Sequence, residues 1–457
     1  MRKFKKLFMN PRSAIALAFV LWISLAAPAA PGAIYYQPLK SFGFPKQTDG
    51  IYPRAALIEG SDGVLYGTTS EGGTNGAGVV FKVGEDGNHY QILYHFGSGQ
   101  SDGRSPQAAL VEGSDGALYG TTAEGGTNDL GTVFTLQKDG TAYRVLLRFS
   151  TNGFGGADPS GPLIEGRDGA LYGMTFFGGR KGDGTVFKLS KDGSGYRVLQ
   201  SFSGNGSDGR LPSGGPIEGS DGALYGVTWF GGGKNDFGTV FKLDESGSGY
   251  RTLHSFSGPD GLDPIGELVE GTDGALYGVA NDGGVGTNGY GTIFKLDKDG
   301  ADFSVLHSFA FHEANLRAGL TVGRDGMLYG VGGGIFMLSN DGGYSVLCPC
   351  DGDSRLLRAM NGVFYGTTFS GGDFRLGTVF RLQPPQTPTM LGTRIVGGIV
   401  QVSFAGLSNY NYQIIRSPDL IRWTTLATVV MPPQGVYTNE DSAPPDSAAY
   451  YRAVWLP

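Results

Sequence analysis

Five glutamates recur at a regular spacing: Glu59, Glu112, Glu165, Glu218 and Glu270, separated by 53, 53, 53 and 52 residues. Hard divalent cations prefer carboxylate oxygens, so five such groups at equivalent heights around a central opening could bind a cation at a channel mouth. The same residues have a plainer use. Each stands directly before a tight turn such as Gly-Ser-Asp-Gly, whose backbone N–H groups a carboxylate can cap. Two further copies of the pattern carry Val322 and Arg358 at that position. The aspartates inside the turns are Asp62, Asp115, Asp168, Asp221, Asp273 and Asp325, with Asn361 in the seventh copy. Asp and Asn tolerate the left-handed conformation and bond their own backbone, so turn chemistry accounts for them. A calcium loop needs carboxylates at alternating positions, which these turns lack.

A second set of candidates is aromatic. Phe176, Phe177, Trp229, Phe230, Phe237, Tyr290, Phe369 and Phe374 lie in glycine-rich segments that vary while their flanks repeat. Loops of this kind carry function on a fixed scaffold. Aromatics beside Asn, Asp and Arg suit recognition of carbohydrate or peptide; the alternative is that many of them pack against neighbouring repeats.

Catalytic constellations are thin. The five histidines, His89, His95, His254, His307 and His312, show no metal-ligand spacing, and no Gly-x-Ser-x-Gly, His-Glu-x-x-His or P-loop pattern occurs. No pair of carboxylates is singled out for glycosidic chemistry. Neither a cofactor nor a metal is implied. Cys348-Pro-Cys350 replaces the His-Ser-Phe of His254–Phe256, which puts Cys350 at a core phenylalanine position. Burial as small hydrophobes is the commonest fate of such thiols; a disulfide between them is the alternative.

These side chains must be positioned by something that repeats. Leu-Tyr-Gly returns with its tyrosine at Tyr66, Tyr119, Tyr172, Tyr225, Tyr277 and Tyr329, and as Phe-Tyr-Gly at Tyr365. Each period holds four short apolar runs in fixed order. They are a Tyr-x-x-Leu-x-Ser-Phe run (YRVLQSF at 196–202), an ALIEG-like run, an ALYGTT-like run and a Gly-Thr-Val-Phe-Lys-Leu run (184–189). All are four to seven residues, rich in β-formers and bounded by Gly, Asp and Ser, which is the signature of strands. Glycine is 81 of 457 residues, well over double its usual share of about 7 %. With 40 % hydrophobic residues beside it, that glycine serves turns within a packed core rather than a disordered linker.

Short Asp-Gly turns join the second run to the third and the fourth to the next first run, as hairpins require. The blade order is therefore second, third, fourth, first. Proline agrees, because it is confined to edge strands. It occurs in first runs (Pro38, Pro349) and second runs (Pro162, Pro216), and never in the third or fourth. Seven such units make an all-β, seven-bladed β-propeller of four-stranded antiparallel blades. The first run is missing from the last unit and present ahead of the repeats as YYQPLKSF (35–42). That N-terminal strand is expected to close the last blade.

The pattern DGALYGTTxxGGxxxxGTVFKLxxDGxxYxxLxxF, over Tyr35 to Leu382, resembles the GloVer tandem repeat of exported bacterial choice-of-anchor proteins. The resemblance implies an exported repeat protein, secreted or at the cell surface, with no catalytic residues to carry over. This chain ends YYRAVWLP, without the apolar span and basic tail of the anchored pattern.

The first thirty residues, basic at Arg2, Lys3, Lys5, Lys6 and Arg12 and apolar from Ala14 to Ala27, read as a signal peptide (1–30). Its removal leaves 30 basic residues against 42 acidic, a net charge of about −12, which argues against nucleic acid as a partner. No other stretch is apolar enough to cross a bilayer, so the expectation is a monomer that is secreted, periplasmic or on the cell surface. The propeller spans 34–383 and a Pro-rich linker 384–390. A module at 391–457 with YNYQIIRS, Trp423 and AYYRAVWL reads as a small fibronectin-III-like β-sandwich, with Trp423 as its core tryptophan. The leading function is a non-enzymatic binding module for a carbohydrate or protein ligand. The alternatives are a structural or adhesive surface protein, and a polysaccharide hydrolase or lyase using carboxylates at the channel mouth.

Overall fold

In every repeat the short runs of β-formers become strands, and all regular elements among the described residues are strands. The computed structural model describes residues 35–43, 48–150, 155–285, 289–310, 316–323, 326–339, 342–383, 389–396, 399–405, 411–418, 422–432, 436–444 and 449–455. The leader at 1–30, most of the linker, His312 and Asp325 lie outside these residues. The chain divides into two compact units, Tyr35–Leu382 and a second that includes Gln383–Pro457.

The first unit contains seven four-stranded antiparallel sheets among the described residues. In the third repeat the strands are Ile164–Glu165, Leu171–Thr175, Thr185–Leu189 and Arg197–Ser201, and their order in the sheet is their order in the chain. The last sheet is assembled from both ends of the unit. Leu357–Arg358, Phe364–Thr368 and Thr378–Gln383 come from the seventh repeat, and Tyr35–Ser41 pairs beside the last of these.

The first strand of most sheets is only two residues long, shorter than its apolar run. In the fourth and fifth sheets the strand is continuous, Gly209–Glu218 and Leu262–Glu270, but its register slips between Ser213 and Ile217 and between Ile265 and Val269. Elsewhere the same irregularity splits the pairing into two, so that Gly156–Ala157 and Phe177–Gly178 form a separate small ladder. The cause is close approach between repeats: a Cβ on Gly215 would lie 2.5 Å from the Pro162 carbonyl oxygen.

The repeated Tyr-Gly has two physical reasons. Gly173 pairs with Phe187 on the next strand, and a Cβ there would lie 2.5 Å from Phe187 Cζ, so glycine leaves room for the ring. Its neighbour Tyr172 is fully buried. Apolar clusters then join consecutive sheets. One unites Ala117, Tyr119 and Val133 of the second sheet with Leu163, Leu171 and Phe187 of the third. Another unites Leu57, Leu65 and Phe81 of the first sheet with Tyr365 and Val379 of the last.

A second intersheet joint uses proline. Gly131, at φ 92°, could not carry a Cβ, which would sit 2.6 Å from Pro159 Cδ of the following repeat. The residue before that proline, Asp158, adopts φ 56°, and its N–H bonds to the Leu130 carbonyl at 3.0 Å. Tyr52, Ser105, Leu211 and Asp263 hold the same left-handed conformation ahead of Pro53, Pro106, Pro212 and Pro264. A non-glycine residue rarely sits there, so the surrounding hydrogen bonds must hold it in place.

Among the described residues the second unit has two three-stranded sheets. One orders Thr389–Val396, Ile399–Ala405 and Val436–Asp441; the other orders Thr424–Val430, Asn411–Ser417 and Tyr450–Trp455. Val402 and Phe404 of the first share one apolar cluster with Ile414, Tyr451 and Ala453 of the second. Trp423 is not in that cluster, contrary to its expected role as core tryptophan. It is half-buried, with the Arg452 guanidinium 4.7 Å from its ring centre. The ring places in that core belong to Phe404 and Tyr451 instead.

Candidate functional site

The recurring glutamates act between sheets. Glu112 accepts the Ser61 N–H and the Ser61 hydroxyl, both at 2.7 Å, from the turn of the preceding sheet. Glu165 takes Ser114 in the same way at 2.6 and 2.6 Å, and Glu270 takes Ser220 at 2.8 and 2.6 Å. Glu218 accepts the Arg167 N–H at 3.0 Å, and Glu59 the Met360 N–H at 2.7 Å, linking the first sheet to the last. Each therefore caps its neighbour's turn rather than the one that follows it in sequence. Lys138, Lys191 and Lys298 reach Glu112, Glu165 and Glu270 at 2.5, 2.6 and 2.6 Å. Burial alone would raise these three carboxyls, but the lysines and serines together hold them below the ordinary range.

At the other two copies the lysine position is acidic. Burial and then the Glu59 charge push Glu85 up; burial, Asp168 and Glu218 do the same for Glu245. No cluster of three His, Cys, Asp or Glu among the described residues has the geometry to hold a metal ion.

The turn aspartates do more than shape turns. Asp115 accepts the Tyr119 hydroxyl at 2.7 Å and Asp221 the Tyr225 hydroxyl at 2.7 Å, while their other oxygens face the N–H two residues on. The spacing Asp-x-x-x-Tyr carries this bond and was visible in the sequence. A second series, Asp49, Asp102 and Asp208, accepts Tyr90, Tyr143 and Tyr250 at 2.6, 2.5 and 2.7 Å. That series went unremarked in the sequence, because each tyrosine lies about forty residues from its partner.

At the far end of the second strands, four of the expected aromatics form a chain of rings. Phe176 meets Phe177 edge-on at 4.8 Å and Trp229 at 5.6 Å, and Trp229 stacks on Phe230 at 5.6 Å. The Arg210 guanidinium sits 5.1 Å from the Phe230 ring and binds Asp236. The others do not join them. Phe237 packs against the cluster between the fourth and fifth sheets and Tyr290 against that between the fifth and sixth. Phe369 stacks on Tyr52 at 4.6 Å under Arg54, and Phe374 is 45 % exposed.

Phe176, Phe177 and Trp229 line a cavity of about 880 Å³ together with Leu130, Glu124, Asp129 and Asp158. Asp129 is bonded to Arg104 at 2.7 Å, and Glu124 lies 3.6 Å from the same guanidinium. No ion pair engages Asp158 among the described residues, and burial, then the Glu124 charge, raise its carboxyl. The Trp229 indole N–H is buried and makes no hydrogen bond of good geometry; it lies near Asp263, whose carboxyl burial and then the Asp282 charge push up. Asp158 and Glu124 were missed in the sequence; the Asp-Pro at 158–159 was the available signal.

A second, narrow cavity of about 120 Å³ is lined by residues of all seven repeats, including Arg54, Gln107, Ser160, Gly214, Glu267, Arg317 and Asp353. None of the five recurring glutamates lines it. Away from both cavities, Cys348 and Cys350 form a disulfide and are half-buried. The thiols are thus not the small buried hydrophobes that the sequence favoured: the strand Tyr344–Cys348 ends there at an exposed edge.

The sequence matches the Gloeobacter/Verrucomicrobia repeat over residues 30–217 and 166–355. No curated protein matches it. Among solved structures, the extracellular domain of a proposed one-component system from B. thetaiotaomicron is similar, at 12 % identity and a TM-score of 0.53, covering 88 % of this chain and 54 % of that one. The chain thus spans about half the length of that protein, and the likeness is one of fold. A proposed 6-phosphogluconolactonase from Bacteroides uniformis matches at 14 % identity and a TM-score of 0.39, over 84 % of this chain and 99 % of that one.

Proposed function

The chain belongs to the Gloeobacter/Verrucomicrobia repeat family, and from that premise we propose that it is an exported, non-enzymatic binding module for a carbohydrate or protein ligand. In this reading residues 1–30 are a cleaved leader and 34–383 a closed seven-bladed propeller. Residues 391–457 are an appended sandwich module behind the 384–390 linker. Closure is supported by the Met360–Glu59 hydrogen bond between last and first sheets, and by a cavity that draws on every repeat. The observation that carries the binding reading is the 880 Å³ cavity walled by Phe176, Phe177 and Trp229, of the size and mixed apolar and polar lining that ligand sites have. Phe177, 47 % exposed, is a large apolar ring that the fold leaves in solvent.

The test is a glycan and peptide array probed with the purified protein and with a variant in which Phe176, Phe177, Trp229 and Phe230 are alanine, both checked for folding by thermal melting. Specific binding lost in the variant is the expected result. Binding that survives the four substitutions would contradict the assignment of the face. One observation favours the enzyme reading instead: Asp158 and Glu124 are two interacting carboxyls in one cavity, one of them raised. Release of reducing ends from a polysaccharide, abolished by Asp158→Asn, would establish it.

A further inference from the structure

The lining of the large cavity is chemically one-sided. It carries three carboxylates, Glu124, Asp129 and Asp158, and no basic residue. Arg104, outside the lining, binds Asp129 and lies near Glu124, and Arg180 and Lys181 are exposed in the adjoining loop, so the negative charge is that of the lining residues themselves. Asp158 has no counter-ion among the described residues. Its backbone is fixed from both sides: the N–H donates to the Leu130 carbonyl at 3.0 Å, and the carbonyl accepts the Phe176 N–H at 2.9 Å. The residue is thus held in the same lining as Phe176, Phe177 and Trp229. The rings of Phe176 and Phe177 stand at 88°, and those of Phe176 and Trp229 at 62°. Among the rings that line the cavity there is thus no single flat platform of the kind a sugar ring asks for.

Resting on the binding reading above, we propose that this cavity takes the cationic side chain of a lysine- or arginine-bearing segment of a partner protein, paired with Asp158 and Glu124 and enclosed by Phe176, Phe177 and Trp229. Cations are attracted to aromatic faces within about 6 Å by the ring quadrupole, and more strongly where water is excluded. A charge buried without a partner is costly, and the incoming cation supplies the partner that Asp158 lacks. The raised Asp158 carboxyl agrees with a partly buried, unpaired acid beside the charge of Glu124.

The experiment is calorimetric titration of the full chain with the peptides (Gly-Gly-Lys)4 and (Gly-Gly-Gln)4 and with hexaglucosamine, at one fixed salt concentration. The variants are Asp158→Asn, Trp229→Ala and Asp139→Asn. Asn tolerates φ near 56°, so the first variant keeps its backbone, and thermal melting verifies that. Asp139 is an exposed turn residue outside the cavity lining and reports non-specific attraction to an acidic protein. The expected result is lysine peptide binding at least tenfold tighter than glutamine peptide. Asp158→Asn and Trp229→Ala should each weaken it at least fivefold, with Asp139→Asn unchanged. Equal binding of the two peptides, or equal loss in Asp139→Asn, would overturn the inference. So would hexaglucosamine binding through Asp158 and Trp229 while the lysine peptide fails, because the ammonium would then belong to a sugar. A neutral ligand lost in Trp229→Ala but retained in Asp158→Asn defeats the cation assignment and leaves the binding face standing. If no ligand responds to Trp229→Ala, the face itself is misplaced.

Discussion

At the scale of single residues, the repeated acids tie the sheets together, and their pH dependence follows. Asp221 experiences burial, which would raise its carboxyl, but Lys242 at 2.8 Å and the Tyr225 hydroxyl at 2.7 Å override it and bring it down to about 2. A carboxyl lower in the folded than in the unfolded state contributes stability that is fully present above the unfolded value. That stability is lost as pH falls through the folded one. Asp62, Asp115, Asp168 and Asp273 shift in the same direction. Urea unfolding should therefore show stability falling between pH 4 and pH 2, with a shallower fall in Asp221→Asn; an identical slope in the variant would contradict the assignment. Glu165 makes a different kind of bond, capping Ser114 of another sheet. Glu165→Ala is expected to cost about 0.5–1.5 kcal/mol, measured by denaturant midpoint, because an exposed turn loses its acceptor and Lys191 its partner.

At the scale of elements, the decisive contacts are backbone-close. Gly173→Ala drives a Cβ into Phe187 and should destabilise by about 1–3 kcal/mol or more, as overpacking does. A thermal melting temperature unchanged in that variant would refute the packing described for Tyr172-Gly173. How much of this was legible depends on range. The strand order followed from short Asp-Gly turns and from where Pro38, Pro162 and Pro216 fall, because both signals act over a few residues. The role of Gly173 was only half legible: glycine implied close approach, but not that the approaching group is the cross-strand Phe187 ring. The sequence suggests that the glutamates cap their own turns, since nothing local in it tells the turn that follows directly from one 51 residues away. Of the eight loop aromatics, Phe176, Phe177, Trp229 and Phe230 come together, while Phe237 and Tyr290 go into intersheet clusters. Phe176, Phe177, Trp229 and Phe230 directly follow the third run, whereas Phe237 and Tyr290 directly precede the Gly-Thr that opens the fourth, a difference of position that residue type alone does not carry. Trp423 and Cys350 were placed in cores by analogy of position, and both lie at partly exposed edges.

At the scale of the whole molecule, the chain's two ends of the repeat region meet in one sheet. Tyr35–Ser41 pairs beside Thr378–Gln383, and Phe42 enters the cluster shared by first and last sheets. Deleting residues 35–43 should expose the edge of Thr378–Gln383, lower the melting temperature and promote self-association seen by light scattering. A deletion variant that melts like the intact protein and stays monodisperse would mean that the strand is dispensable. The packing of consecutive sheets sets Phe176 of the third repeat against Trp229 of the fourth, so the cavity exists only because neighbouring repeats are held in fixed relation. Its use as a binding site is most directly tested by a crystal structure of the protein with the tightest ligand from the arrays. Density between Phe176, Phe177, Trp229 and Asp158 is the predicted result. Density confined to the 120 Å³ cavity, to the glutamate clamps or to the Gln383–Pro457 unit would contradict it.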